Sequence, residues 1–314
     1  MRVLVTGAAG FIGSHLTRAL LAEGHEVRAL DNLQTGQFWR IQPVLEQIQW
    51  QEGDITNPEQ VRTAVEGMDA VLHQAALPSV PRSLQDPVAS SLANVQGTII
   101  VLQACREAGV RRLVYAGSSS AYGDTPTLPK VETMSPAPMS PYAVSKLTGE
   151  QYCRVFSQLG YVETVCFRYF NVFGPMQDPN SQYAAVIPRF ITRMMRNEPI
   201  TILGDGTQSR DFTYVENVVR ANLLALKAEQ SRVSGEVFNV GCGEQFTLNE
   251  VVAQLAEILG REPKVELLPS RLGDVPHSLA DISKAHSLLG YEPVVRLPEA
   301  LQRTAAWYLE QQAG

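Results

Sequence analysis

What this chain has little of narrows it first. Its four cysteines, Cys105, Cys153, Cys166 and Cys242, are dispersed over 314 residues and include no CxxC. That excludes a disulfide scaffold and points to reduced thiols in a cytoplasmic setting. The five histidines, His15, His25, His73, His277 and His286, form no HxxxH or mixed His/Cys cluster, so no catalytic metal is expected. Charge is sparse, at 18% of residues and a net −6, and no basic run exceeds Arg111-Arg112. A nucleic-acid partner therefore lacks its electrostatic footprint, although a few placed arginines still suffice for a small anionic ligand. From Met1 the sequence enters a strand pattern with no charged leader, and no apolar run approaches bilayer length. Neither export nor a membrane span is expected. A hydrophobic content of 45% carries no disorder signature, and the length suits one large domain or two modest ones with a full core.

The most informative stretch that is present is the start, Val3-Leu-Val-Thr-Gly7-Ala-Ala-Gly10-Phe-Ile-Gly13-Ser14. A short apolar run broken by Gly7, followed by Gly10, Gly13 and helix-compatible residues, reads as strand, tight turn and helix. Glycines at these places permit the turn, let backbone N–H groups approach a pyrophosphate at the helix N-terminus, and let the helix pack closely on the strand. The spacing GxxGxxG is looser than GxGxxG and carries moderate weight alone. Context adds to it, because Glu26 to Leu30 reads as a second strand ending in Asp31, at the interval where an acid holds an adenosine ribose. A carboxylate there repels a ribose 2′-phosphate, so NAD is expected rather than NADP.

Farther along, Asn32 to Arg40 is polar, and Gln49 to Ile55 reads as a third strand carrying Asp54 and Ile55 to the ligand edge of a parallel sheet. Asp54 serves equally well as a turn residue before Pro58. Pro58 to Gly67 reads as a helix and Ala70 to Ala76 as a buried fourth strand entering a small-residue turn. The proline-rich Pro78-Ser-Val-Pro-Arg-Ser83 reads as a loop whose Arg82 faces either solvent or substrate. A long helix is predicted from about Pro87 to Ala108, with Val95, Ile99, Leu102 and Cys105 on one face and the polar Asn94 inside it. Arg112 to Gly117 is a fifth strand closing on Ser118-Ser119-Ser120, hydroxyls placed to orient a substrate hydroxyl. A helix from Tyr142 to about Leu159 and a sixth strand from Glu163 to Phe167 follow.

This alternation over residues 1–170 specifies an α/β fold with a doubly wound parallel sheet. Beyond Asn171, helices at 184–197, 215–228, 248–259 and 298–309 and short strands at 200–203, 236–240 and 264–267 read as a smaller C-terminal α/β lobe, 171–314. No Gly/Ser-rich or charged spacer divides the two, so the lobe is expected to interleave with the first domain.

Tyr142 and Lys146 stand four apart and share a helix face. A tyrosine is a poor base at neutral pH, and lowering its pKa by about three units takes roughly 4 kcal/mol. A unit positive charge about 4 Å away supplies that at an effective dielectric near 20. Lys146 and a nicotinamide cation are the candidate sources. The phenolate then takes a proton from a substrate alcohol, a serine holds the hydroxyl in line, and the cofactor takes a hydride from the same carbon. YxxxK alone is commonplace, but with a dinucleotide loop and a serine run it converges on one crevice.

Thr6-Gly7-Ala-Ala-Gly10-Phe11-Ile12-Gly13, Asp31-Asn32, the Ser118 to Gly123 segment and Pro141-Tyr142-Ala-Val-Ser-Lys146 together resemble the extended short-chain dehydrogenase/reductases, whose sheet is Rossmann-type. Arg168-Tyr-Phe-Asn171-Val-Phe-Gly174-Pro175 and Ser209-Arg210-Asp211-Phe-Thr-Tyr214-Val215 narrow the resemblance to nucleotide-sugar epimerases and dehydratases. Ser79 to Ser83, Tyr183 to Pro188 and Gly273 to Asp281 resemble in particular the bacterial UDP-N-acetylglucosamine 4-epimerases. The resemblance implies Tyr142 as acid/base, Lys146 as the ribose-binding residue that tunes it, and Ser118 as the hydrogen-bond partner of the reacting O4, with Ser119 and Ser120 close enough to leave that assignment open. It implies an NAD site of Gly7, Gly10, Phe11, Ile12, Gly13, Asp31, Asn32, Gly36, Asp54, Ile55, Gln74, Ala75, Ala76, Asn94, Tyr142, Lys146 and Tyr169. For the substrate it implies Arg82, Ser118, Ser119, Ser120, Asn171, Ala185, Val186, Arg210, Arg271, Asp274 and Ser278. Among these, Asn171, Arg210 and Arg271 belong to the diphosphate and Asp274 to the uridine ribose.

A guanidinium fork suits a phosphate, whereas Arg210 beside Asp211 also suits a surface ion pair. The activity implied is NAD-dependent C4 epimerisation of a UDP-hexose through a transient 4-keto sugar. UDP-GlcNAc and UDP-GalNAc are the first candidates, because Ser278 is small where hexose epimerases carry a tyrosine, with UDP-Glc and UDP-Gal weaker. A UDP-glucuronate or N-acetylated uronate 4-epimerase, a dehydratase or decarboxylase, and a non-enzymatic NAD-binding module are the alternatives. Ser119-Ser120-Ala121 supplies no acid where the resembling dehydratases and decarboxylases have one, and Ser118, Tyr142 and Lys146 are intact. A homodimer through the helices near 87–108 and 142–159 is also implied.

Overall fold

The computed structural model describes residues 1–179, 185–269 and 275–313. Six strands of the first half, β1 (Arg2–Thr6), β2 (Glu26–Asp31), β3 (Ile48–Glu52), β4 (Ala70–His73), β5 (Arg112–Ser118) and β6 (Glu163–Tyr169), lie parallel in the order β3-β2-β1-β4-β5-β6. Strand order reverses between β1 and β4, which opens a crevice at the C-terminal ends of those strands. The strands are continuous apolar runs because both sheet faces are covered. Val3 and Val5 pack on one face with Leu16 and Val218, and Leu4 packs on the other with Val61 and Leu102. Each such fully buried side chain contributes on the order of 2 kcal/mol.

The crossovers are α1 (Phe11–Ala22), α2 (Pro58–Val65), α3 (Val80–Gln85), α4 (Pro87–Ser91), α5 (Gly97–Ala108) and α6 (Pro141–Gln158). The expected loop at 78–83 contains α3 instead. Ser79 accepts the Arg82 N–H and proline fills the first turn, so the proline starts this helix rather than preventing it. α4 and α5 are joined through a π-turn at Leu92–Gln96 into the continuous helix expected at 87–108. Contrary to expectation, that 22-residue span, in which an 18-residue window has a mean hydropathy of 1.3, is long and apolar enough to cross a bilayer by length and composition alone. In the fold it packs against α2 and α6.

A larger correction concerns Glu236–Val240. Expected in the smaller lobe, it is the seventh strand of the main sheet, parallel to β6 with Val237 opposite Cys166 and Asn239 opposite Arg168. The helices Val215–Lys227 and Ser283–Leu289 come with it, and their Val218, Ala225, Ala285 and Leu289 join the sheet's core. A short apolar run announces a strand but not its partner, and here the free edge of β6 is the partner. The smaller lobe is therefore discontinuous. The helices Val186–Met195, Leu248–Leu259 and Leu297–Ala313 enclose its own core of Ile187, Phe190, Val251, Leu255 and Leu301. The paired strands Ile200–Leu203 and Val265–Leu268 complete it.

Candidate active site

At the end of β1 the chain turns at Gly7, whose φ of 69° is left-handed and whose Cβ, if present, would lie 2.7 Å from the Ala75 nitrogen. A Cβ on Gly13 would lie 2.0 Å from the Gly7 carbonyl oxygen, so glycine there is what lets α1 approach β1. α1 has Gly10 as N-cap, no capping side chain and no acid in its first turn. Its free N–H groups therefore make an anion site at the switch point. A cavity of about 600 Å³ extends from here, lined by Gly7, Gly10, Phe11, Ile12 and Gly13, then by Asp31, Asn32, Asp54 and Ile55 at one end and Tyr142 and Lys146 at the other.

The acidic end of the cleft is tightly hydrogen-bonded. Asp31 accepts the Ala9 N–H at 2.9 Å and the Leu33 N–H at 2.8 Å, while burial pushes its pKa up. Gly36 backs this carboxylate. Asn32 donates to Asp54 at 2.7 Å, and Thr56 donates to Asp54 through both its N–H and its hydroxyl. Burial works against the Asp54 charge, yet these bonds hold the carboxyl below its ordinary range. Gln74, Ala75, Ala76 and Tyr169 form the floor, with Gln74 and Asn222 both donating to the Tyr169 hydroxyl.

The lining departs from the sequence reading at several residues, Gly36 and Asn94 being absent from it. The Asn94 Oδ1 accepts the Leu77 N–H at 2.7 Å, and its Nδ2 donates to the Leu77 carbonyl and the Ser145 hydroxyl. The π-turn turns this amide inward, where it ties the loop after β4 to α6. Arg40, which the sequence did not mark, does line the cleft. It is buried and donates to the Met176 carbonyl at 2.9 Å and the Ala9 carbonyl at 3.2 Å. Nothing in its polar surroundings signals this, because one partner lies 136 positions away.

At the inner end, Ser140 N-caps α6 and the Ser83 hydroxyl accepts the Tyr142 N–H at 3.0 Å, which fixes the start of the helix. Tyr142 and Lys146 then project from adjacent turns. Lys146 Nζ donates to the Ala116 carbonyl at 2.9 Å, and burial pushes its pKa down to about 8. The Ser118 hydroxyl lies close enough to Tyr142 to pull the phenol's pKa down. Burial nevertheless leaves the phenol above its ordinary pKa, and Lys146 does not offset it. The expected lowering by Lys146 is therefore not built into the chain alone, because its ammonium is directed at a β5 carbonyl.

Arg82 lines the cleft mouth, and Ala185 borders both this cavity and a second one of about 290 Å³. That second cavity is lined by Asn171, Val186, Arg210 and Phe212, among others. Ala185 precedes the helix Val186–Met195, which among the described residues has no side-chain cap and no acid in its first turn. Asn171, at a left-handed φ of 33°, donates to the Asp211 carbonyl at 2.9 Å and the Ser278 hydroxyl at 3.1 Å. Arg210 donates to the Ser209 and Pro276 carbonyls. Asp211, which the sequence reading left as an ion-pair partner, is buried. Its carboxylate accepts N–H bonds from Cys242, Gly243 and Ala280, and burial pushes it up to about 6. Arg271 and Asp274 lie outside the described residues. Among those described, no cluster of His, Cys, Asp and Glu side chains is placed to hold a metal.

The uncapped N-terminus of α1, an acid at the end of β2 and a cleft lined by Tyr142 and Lys146, with Ser118 beside Tyr142, fit a dinucleotide with an anionic substrate. Together with the sheet they define an extended short-chain dehydrogenase/reductase. Within that class the chain belongs to the NAD dependent epimerase/dehydratase family, whose profile matches residues 3–241, and it is an NAD-dependent enzyme. It is 36% identical to the UDP-glucose 4-epimerase of Mycolicibacterium smegmatis over 98% of both chains. It is also 36% identical to the UDP-glucuronate 4-epimerase of Thermodesulfobacterium geofontis, over 98% of this chain and 96% of the relative. The solved UDP-N-acetylglucosamine 4-epimerase of Methanobrevibacter ruminantium, in complex with UDP-N-acetylmuramic acid, superposes with a TM-score of 0.93 at 36% identity over 99% and 98% of the chains.

Proposed function

We propose that this chain, an NAD-dependent UDP-sugar 4-epimerase, acts first on the UDP-GlcNAc and UDP-GalNAc pair and more weakly on UDP-Glc and UDP-Gal. The observation that carries the reading is that Tyr142 and Lys146 line a cleft sharing Ala185 with the cavity of Arg210 and Asn171, with Ser118, which lines neither cavity, beside Tyr142. Bound NAD supplies a reversible hydride acceptor and a positive nicotinamide ring. Tyr142 takes the O4 proton and later returns it, Ser118 donates to O4, and Lys146, fixed on the Ala116 carbonyl, holds its positive charge on the same helix. Between the two half-reactions the keto sugar presents its other face. Firm binding therefore belongs to the UDP, held by the helix Val186–Met195, Asn171 and Arg210, and the sugar pocket stays loose.

Substrate range is assigned to Ser278. Its hydroxyl is bonded to Asn171, and by the family resemblance a residue this small, in place of a tyrosine, leaves room for a 2-acetamido substituent. Ser278→Tyr is expected to remove activity on acetamido sugars while sparing UDP-Glc, and equal loss on all four sugars overturns the assignment. The closing experiment incubates the protein separately with UDP-GlcNAc, UDP-Glc and UDP-GlcA, without added reductant, and follows anomeric NMR signals. C4 epimers from UDP-GlcA alone replace this reading with a uronate epimerase. A 4-keto-6-deoxy or pentose product replaces it with a dehydratase or decarboxylase. The reading includes a cytoplasmic homodimer. Leu84, Val88 and Leu92 on α3, α4 and the π-turn, with Val144, Tyr152 and Val155 on the neighbouring α6, are exposed, and a second copy covers them.

A further inference from the structure

The three hydroxyls of the serine run are not equivalent. Ser118 ends β5 in extended backbone, at φ −148° and ψ 141°, and caps the short 3-10 turn Ser119–Tyr122. Its Oγ accepts the Ser120 N–H at 3.2 Å and the Ser120 hydroxyl proton at 2.8 Å. A serine hydroxyl has two acceptor positions and one proton. Both acceptor positions of Ser118 are filled by one neighbour, so only its own O–H remains. The Tyr142 phenol is close enough for Ser118 to lower its pKa.

We propose that Ser120 is a positioning residue that makes Ser118 a donor only, holding the Ser118 proton where Tyr142 and the reacting sugar oxygen meet. The inference rests on the 4-epimerase reading and deepens it. A serine free to rotate alternates between donating and accepting, and while it accepts it competes with Tyr142 for the O4 proton. Ser118, with its lone pairs occupied, does not compete. The O4 proton passes to the Tyr142 oxygen and returns from it, and Ser118 keeps its own proton throughout. With NAD bound and before the sugar enters, that O–H stabilises the phenolate. As C4–O4 gains carbonyl character, the same O–H stabilises the oxygen, and it does so again when the sugar presents its other face. One fixed dipole thus serves both half-reactions with no reorientation between them. The Ser120 hydroxyl, spent on Ser118, is then not a substrate contact, which departs from the role the family resemblance implies for it.

The test uses the NAD-loaded enzyme and compares Ser120→Ala, Ser120→Thr and Tyr142→Phe by kcat, KM, the pH profile of kcat, NAD content and calorimetric UDP affinity. Ser120→Ala is expected to lower kcat about tenfold, the scale of one oriented hydrogen bond, with KM within about twofold. The rising limb of its kcat profile moves to higher pH, because the phenolate has lost an oriented donor. Ser120→Thr, which keeps the hydroxyl, restores both rate and profile. NAD content and UDP affinity stay at wild-type values. A wild-type profile and rate in Ser120→Ala, or a raised KM with kcat preserved, overturns the positioning role. If Tyr142→Phe is inactive while Ser120→Ala behaves as wild type, only that role fails. If Tyr142→Phe keeps full activity, the epimerase reading itself fails.

Discussion

Lys146 is the residue whose surroundings most alter the chemistry expected of it. Four residues from Tyr142, it was legible as a partner from spacing alone, but its Nζ bonds the Ala116 carbonyl, a group of another element that no local pattern announces. The protein by itself therefore holds Tyr142 protonated, since burial raises the phenol and the Ser118 hydroxyl only partly offsets that. Tyr142→Phe is expected to lower turnover by about 10²–10⁴, the range of a positioned acid/base, while NAD content measured by absorbance stays constant. Asp211 shows what the sequence hid. Beside Arg210 it reads as an ion pair, yet its partners are N–H groups 31, 32 and 69 positions away. Asp211→Asn sets an amide donor against those N–H groups. It is expected to cost about 1–3 kcal/mol in urea unfolding and to raise KM for the nucleotide sugar.

Among the elements, the strands β1 to β6 were readable because each is a short apolar run buried on both faces, a pattern that few other arrangements produce. Their ends were less readable. β4 stops at His73, before Gln74 to Ala76, because that turn forms the cleft floor. The long helix was legible but its π-turn was not, since the turn is made by the tertiary bonds of Asn94. Asn94→Ala leaves the buried Leu77 amide and carbonyl without this partner and is expected to lower stability by about 1–3 kcal/mol. The same variant loosens the link between the cleft loop and α6, so a drop in kcat should accompany the drop in unfolding midpoint. An unchanged kcat in a destabilised Asn94→Ala would make the π-turn a purely structural element.

On the scale of the whole molecule, the two lobes meet along the segment that follows Gly174. His15 donates to the Pro175 carbonyl, Arg40 to the Met176 carbonyl and Tyr308 to the Gln177 carbonyl. Burial pushes His15 down to about 4, so it is neutral in the fold and protonates near 6.5 when unfolded. Between those values the unfolded chain holds the extra proton, and the stabilisation is whole above pH 6.5 and lost as pH falls toward 4. The stability difference between wild type and His15→Gln, from urea melts at pH 7 and pH 4, is expected to fall by about 3 kcal/mol at most. A difference constant with pH rejects that account. The exposed apolar face of α4 and α6 gives a second test at this scale. If the proposed homodimer uses this face, Val88→Glu with Val155→Glu yields a monomer by light scattering where the unsubstituted chain gives a dimer; a monomeric unsubstituted chain rejects the dimer, and an unchanged dimer mass places its contact elsewhere.

The seventh strand, Glu236–Val240, also bears on how such a protein diversifies. Because the chain leaves the main sheet after β6, returns to complete its edge, and leaves again, a genetic exchange of everything beyond residue 170 would carry off part of the cofactor domain along with the sugar site. The specificity lobe is not a cassette. On this topology a change of substrate is expected to come from single positions, such as the proposed one at Ser278, rather than from exchange of the whole segment.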